Sequence, residues 1–267
     1  MAIYFREANW VKVRQCAAAD GVVALPLASL EQHGPHLPCG TDTYQINEIM
    51  RRAAQRLPTA TAVCVCPTVE YSVVQWASPM ASAGVAPLTF EKSLVDICHA
   101  LTDLGFQKIF LVHGHGGLPC GQSALWQALQ EKRPALYVDF KPYEACDKQI
   151  RAICGEPITH AGAAETSMML AIRPDLVDMS KAVKGPADLW GDHFPYPSLV
   201  RAGVYAIPPV TVTREGVYGD ATRASAEIGA RLLDLMAEVV ATALAELAHS
   251  PVPDQWKTIS QVPLPQQ

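Results

Sequence analysis

The sequence predicts a three-layer α/β/α sandwich around a mostly parallel central sheet, and three observations predict it. Short runs rich in Val, Ile and Leu alternate with segments of helical periodicity, the pattern of repeated βαβ units. The runs are apolar throughout, as strands buried on both faces must be. Finally, 267 residues, 49% of them hydrophobic, suffice for one sizeable core.

Taken in order, "GVVALPL" (21–27), "TAVCVCPTV" (61–69), "KIFLVHG" (108–114) and "ALYVDFK" (135–141) read as buried strands. "GVYAIPPVTV" (203–212) reads as a fifth, demoted to an edge by its two prolines. Helices are expected at about 43–57, 90–105, 121–132, 143–154, 163–173 and 221–248. The first of these carries Ile46, Ile49, Met50, Ala53 and Ala54 on one stripe. With no internal repeat or linker, residues 1–267 read as a single domain with a Pro-rich tail from about 250, "SPVPDQWKTISQVPLPQQ".

A net charge of −5 and the lack of any Lys/Arg cluster exclude a nucleic-acid face. No apolar run reaches 18 residues, so no membrane span is expected. The N-terminal "MAIYFREANWVKVRQ" lacks a signal peptide's apolar region, which points to the cytoplasm. The eight cysteines are scattered without a C-x-x-C pair and read as reduced, buried thiols.

Ligands of open α/β sheets bind beyond the carboxyl ends of the strands. The polar stretch "SLEQHGPHLPCGTD" (29–42) follows the first strand and "HGHGG" (113–117) the third, so both loops should meet at one sheet edge. Residues two apart in extended backbone point the same way, which aims Glu31 and His33 together. Carboxylates and imidazoles without thiolates suit zinc, manganese or iron; the competing reading is an ordinary polar loop. Asp42 has its own competitor as the N-cap of the next helix, with Gln45 completing a capping box. His113 and His115 stand among three glycines that permit close approach to a ligand. Neither phosphate-binding glycine spacing occurs there. In "ITHAGAAETSMMLAIRPDLVDM" (158–179), Glu165 opens a helix as a ligand or as a complement to its dipole. His160, just upstream, titrates nearest neutrality and suits a proton shuttle.

"EQHGPHLPCGTD", "HGHGG" and "HAGAAETSMMLAIRPDLVDM" together resemble the creatininase (creatinine amidohydrolase) family. Its members carry E-Q-H-G-x-H-x-x-x-x-x-D, N-G-H and H-x-G-x-x-E-T-S in this order. "GVYGDATRASAEIGARLL" (216–233) resembles its closing helix, and the likeness spans roughly residues 8–245. The resemblance implies a three-layer fold holding two divalent metal ions per chain, zinc first, with manganese or iron as alternatives. It implies Glu31, Asp42 and His115 around one ion, and His33 with a bridging Asp42 around the other. It also implies His160 in proton transfer, a small-molecule substrate, and a homo-oligomer, often a hexamer.

Three departures stand out. Gly117 occupies the place of a glutamate ligand in creatininase itself, which passes that role to Glu165, as in relatives with Gly there. His113 and Leu118 replace asparagines, and the F-P-G-T segment common after the second strand is absent. Creatininase closes its site with tryptophans ahead of the H-x-G-x-x-E-T-S motif, whereas this chain has none between Trp126 and Trp190. Creatinine is therefore a poor substrate expectation; Trp76, Trp190 and His113 are candidates for the pocket. The expected activity is hydrolysis of a C–N bond in a small amide, cyclic amide or formamide by a metal-activated hydroxide. The alternatives are ring opening of a cyclic ketone or lactone at the same centre, or a non-catalytic metal-binding protein.

Overall fold

The computed structural model describes residues 2–74, 81–116, 129, 135–186 and 213–253. Within them a five-stranded, wholly parallel sheet has the order β1-β3-β2-β4-β5. The strands are β1 (Ala2–Tyr4), β2 (Val22–Leu27), β3 (Val63–Val65), β4 (Lys108–His113) and β5 (Leu136–Phe140). The described helices are α1 (Trp10–Ala18), α2 (Thr41–Arg56), α3 (Pro87–Asp103), α4 (Pro142–Ala145), α5 (Asp147–Cys154), α6 (Ala163–Ile172) and α7 (Ala226–His249).

Both faces of the sheet are covered, which is why its central strands read as unbroken apolar runs. Val22 and Ala24 of β2 and Phe110 and Val112 of β4 pack with α2, α6 and α7. Their alternates, Val23, Leu25, Ile109 and Leu111, pack with Val13, Cys16 and Ala17 of α1 and Phe90, Leu94 and Cys98 of α3. Most of the predicted stripe of α2 is the buried one: Ile46, Ile49, Met50 and Ala53 are inside, and Ala54 is half-buried. Each buried Ile or Met of this stripe contributes about 1.5–3 kcal/mol.

Two elements were not legible from periodicity. Strand β1 spans only Ala2–Tyr4, too short to show a period, and pairs in register with β3. Helix α1 buries only Val13, Cys16 and Ala17, although its N-cap Asn9, which accepts from Lys12 N, was a readable start signal. The helix expected over 143–154 is broken at Cys146 into α4 and α5. The closing helix begins later than expected, at Ala226, where the Ser225 hydroxyl accepts from Ile228 N. The strand expected at 203–212 and most of the helix expected at 121–132 lie outside the described residues.

Pro26 sits inside central β2 yet leaves no donor vacancy, because β3 has already ended at Val65 on that side. Its carbonyl accepts from Val69 N at 2.9 Å. Strand β2 leads on to β3 on one flank, whereas its other neighbour, β4, leads on to β5, so the chain leaves these two adjacent strands in opposite directions. That is the switch point where a crevice opens above the carboxyl ends. The seven described cysteines are free, and no described helix is long and apolar enough to cross a membrane.

Candidate metal centre

The loops after β2 and β4 meet at this switch point, joined by the first turns of α2 and α6. Two groups of potential ligands result: Glu31, Asp42 and His115, and beside them His33, His160 and Glu165. Within each group the ligand atoms all lie within 4.8 Å of one another. Asp42 faces both, with Oδ1 3.1 Å from His33 Nε2 and Oδ2 3.0 Å from His115 Nδ1. Glu165 Oε2 lies 3.5 Å from the same His33 nitrogen.

Asp42 does not cap α2, whose N-cap is Gly40 with no side-chain hydrogen bond. It lies in the first turn, buried, and accepts a hydrogen bond from Ser29 Oγ at 2.8 Å. Nor does Gln45 close a capping box, because its amide donates to the backbone carbonyl of Glu165 at 3.0 Å, tying α2 to α6. The capping expectation fails because tertiary partners bind both side chains more closely than the helix end does.

The three imidazoles share one arrangement. Each turns one ring nitrogen to a main-chain carbonyl: His33 Nδ1 to Glu31 O at 2.9 Å, His160 Nε2 to Gln32 O at 2.7 Å, and His115 Nε2 to Val73 O at 3.3 Å. A carbonyl only accepts, so in His33 and His115 that nitrogen carries the proton and the other presents a lone pair; His160 Nε2 also has the Gln32 side-chain amide nitrogen at 3.0 Å. The second nitrogen faces carboxylate: His33 Nε2 meets Asp42 and Glu165, His115 Nδ1 meets Asp42, and His160 Nδ1 lies 3.2 Å from Glu31 Oε1. That Glu31 oxygen is buried without a hydrogen-bond partner. Lone pairs facing carboxylate oxygens require a proton or a cation between them. Among the described residues, the cationic side chains within ion-pair distance of these three carboxylates are histidines alone. The residues therefore fit a divalent-metal site, with main-chain carbonyls fixing the rings.

Electrostatics agree. Burial pushes the Glu31 and Glu165 carboxyls up to about 7, against the pull of the neighbouring imidazoles. Burial also opposes charge on His33 and Asp42, but each overrides it for the other: His33 is raised to about 10, and Asp42 is held well below the carboxylate range. His115 is raised by Asp42 and Glu31 against its burial. Burial first, then His33, holds His160 well below its ordinary value, so its ring is neutral at pH 7.

His160 stacks 4.3 Å from the His33 ring, tilted by 39°, with Tyr218 edge-on at 6.5 Å. The next residue, Ala161, has φ 53°, a left-handed conformation that costs a non-glycine residue about 1–2 kcal/mol. Its N–H donates to Glu165 Oε2 at 2.7 Å.

The structure thus brings Glu31, His33, Asp42, His115, His160 and Glu165 together. His113 stands apart, paired through Nε2 with Asp139 of β5. Trp76, Gly117, Leu118 and Trp190 lie outside the described residues. Sequence reading missed Ser29, which lies between two carboxylates, and Tyr143, whose hydroxyl donates to Gly114 O at 2.9 Å and pins the loop that carries His115. Ser29 was inside the quoted loop; Tyr143 arrives on α4, beyond β5, and left no local signal.

A parallel sheet clad on both faces, with a carboxylate–imidazole centre at its switch point, defines the class of metal-dependent amidohydrolases. The family model Creatininase (creatinine amidohydrolase) matches residues 6–244, and the chain belongs to that family. Creatinine amidohydrolase of Pseudomonas putida is 26% identical, covering 92% of this chain and 97% of the relative. A mycofactocin precursor peptide peptidase of Mycobacterium ulcerans (strain Agy99) is 30% identical over 88% of each. A 3-dehydro-scyllo-inosose hydrolase of Thermotoga maritima is 26% identical over 84% of this chain and 77% of the relative. A crystal structure of creatininase superposes with TM-score 0.78 at 22% identity, over 93% of this chain and 99% of that one. A manganese creatininase (24% identical) and a zinc–zinc variant (22%) each give 0.76 over 94% and 100%.

Proposed function

We propose that the chain hydrolyses a C–N bond of a small amide, cyclic amide or formamide, with two divalent ions bound between the two ligand groups. The observation that carries this is Asp42, whose two oxygens face one group each. Glu31, Asp42 and His115 would hold one ion, and His33, Asp42 and Glu165 the other. Zinc is the first expectation, with manganese or iron as alternatives. Bound there, such ions polarise a carbonyl and lower the pKa of water from 15.7 toward about 7.

The protein's own part is positioning and proton movement. His33 and His115 are held as fixed tautomers by Glu31 O and Val73 O. His160 is neutral and presents Nδ1 beside Glu31 Oε1, so it can take a proton there and give it to the departing nitrogen. Gln32 holds this ring by its backbone carbonyl, and Tyr218 N donates to His160 O at 2.8 Å.

The test is elemental analysis of protein purified without chelator or affinity-resin metal, followed by a substrate panel. About two ions per chain, with amine or ammonia released from amides, lactams or short peptides, is the expected result. Peptides belong in the panel because of the 30% identical peptidase. Release of acid alone from a cyclic ketone or lactone would instead favour the ring-opening reading, which the Thermotoga relative's name supports. No ion after reconstitution would sink both. The chain is further expected to be cytoplasmic and homo-oligomeric, which fractionation and light scattering would check.

A further inference from the structure

We propose that His36 is a positioning residue that sets Glu165 and His160 through Thr166 and the left-handed Ala161. Its functional consequence rests on the metal reading above; its substance rests on a chain of contacts. His36 is buried, and its Nε2 lies 2.9 Å from Thr166 Oγ1. That hydroxyl donates to Ala161 O at 3.3 Å, so it receives its own hydrogen bond from the imidazole N–H. His36 Nδ1 is buried without a partner, as fits a neutral ring whose one proton sits on Nε2. Ala161 N–H in turn reaches Glu165 Oε2 at 2.7 Å, the oxygen that faces His33.

Three hydrogen bonds therefore run from His36 to the carboxylate, and two of them grip Ala161. One takes its N–H, the other its C=O, so the peptides on both sides of its Cα are fixed. Together with the turn that Gly162 N closes on Thr159 O at 3.1 Å, that pair of grips holds an alanine at φ 53°, a conformation non-glycine residues keep only where the surroundings dictate it. The same peptide joins Ala161 to His160, so the orientation that delivers Glu165 also orients the His160 ring. A methionine would fill the space of His36 without an unpartnered ring nitrogen. What the imidazole adds is an N–H for Thr166 Oγ1 and, beside it, for the Ala161 main chain.

The test compares two removals with two conservative variants. His36→Met and Thr166→Val remove the link at similar volume, whereas His36→Gln and Thr166→Ser retain a donor and a hydroxyl. Zinc affinity is measured for each by competition with a chromogenic chelator, alongside kcat and KM on the substrate found above. One of the two ions should weaken about 10–100-fold in His36→Met and Thr166→Val, with kcat falling more than KM rises. The conservative pair should stay close to native. Native affinity for both ions in His36→Met overturns the proposal, as does equal weakening of both ions in step with thermal stability. Crystal structures of metal-free native and His36→Met protein give a separate readout. Ala161 should leave the left-handed region in the variant, and Glu165 should release its N–H. If both stay in place the proposal is wrong, whereas failure of the native chain to bind zinc sinks the metal reading and leaves this second readout to decide.

Discussion

Strand β4 places buried charge at both ends and neutralises it in opposite ways. At its amino end Lys108, 1% exposed, donates to Asp20 Oδ2 and to Ala248 O, each at 2.7 Å. One fixed positive charge meets one carboxylate and the carbonyl end of α7, where the helix dipole favours a cation. Beyond the carboxyl end, the cationic partners of Glu31, Asp42 and the half-buried Glu165 are, among the described residues, imidazoles alone, and the balance changes with every proton gained or lost. The first arrangement is closed and needs nothing more. The second is open, and an open charge balance in a buried place marks where an ion belongs.

The largest expected effect breaks the open end. Asp42→Ala removes the residue common to both groups, so metal content should fall to background in elemental analysis and turnover with it. Retention of two ions would show that Asp42 bridges nothing. His160→Ala comes next: turnover should fall about 10²–10⁴-fold while ion content persists. Loss of an ion instead would make His160 a ligand rather than a proton carrier.

Lys108→Met probes the closed end. It strands the Ala248 carbonyl and should lower unfolding free energy by about 1–3 kcal/mol in urea titrations. Metal content and kcat should be unchanged, and a loss of metal would show that the two ends are coupled.

The smallest effect is a slope. In metal-free protein, His33 is raised to about 10 and His115 is also raised, so folded protein holds protons that the unfolded chain releases above about 6.5. Their stabilisation is present below that pH and is lost as pH rises toward 10. Below pH 7 the raised Glu31 and Glu165 and the lowered His160 and His36 pull in opposite directions. Between about pH 7 and 9, metal-free protein should therefore lose stability in thermal melts, and metal-loaded protein should not, because its ligands are already deprotonated. Parallel slopes would mean that these imidazoles do not carry the charge balance.

The layered fold was legible because β2 and β4 are buried on both faces and α2 follows its stripe; periodicity records burial. Strand β1 escaped because three residues carry no period. Glu31, His33 and Asp42 were legible as a cluster, since one loop carries all three. Their partners were not: the carbonyls that fix the rings belong to Gln32, Val73 and Glu31 itself, and carbonyls leave no mark in side-chain identity. Asp42 shows the limit most clearly. Its position in the first turn of α2 suited a cap equally well, and only Ser29 and His33, folded back from its own loop, and His115, arriving from the loop after β4, decided against it.

The order of the ligands along the chain has a consequence during synthesis. Glu31, Asp42 and His115 have all left the ribosome before His160 and Glu165 are made, because translation runs from the amino terminus. The first group is thus complete in sequence before α6 and α7 exist, whereas the second is complete only once α6 has been made. Asp42, which faces both groups, is the residue that ties the earlier group to the later one.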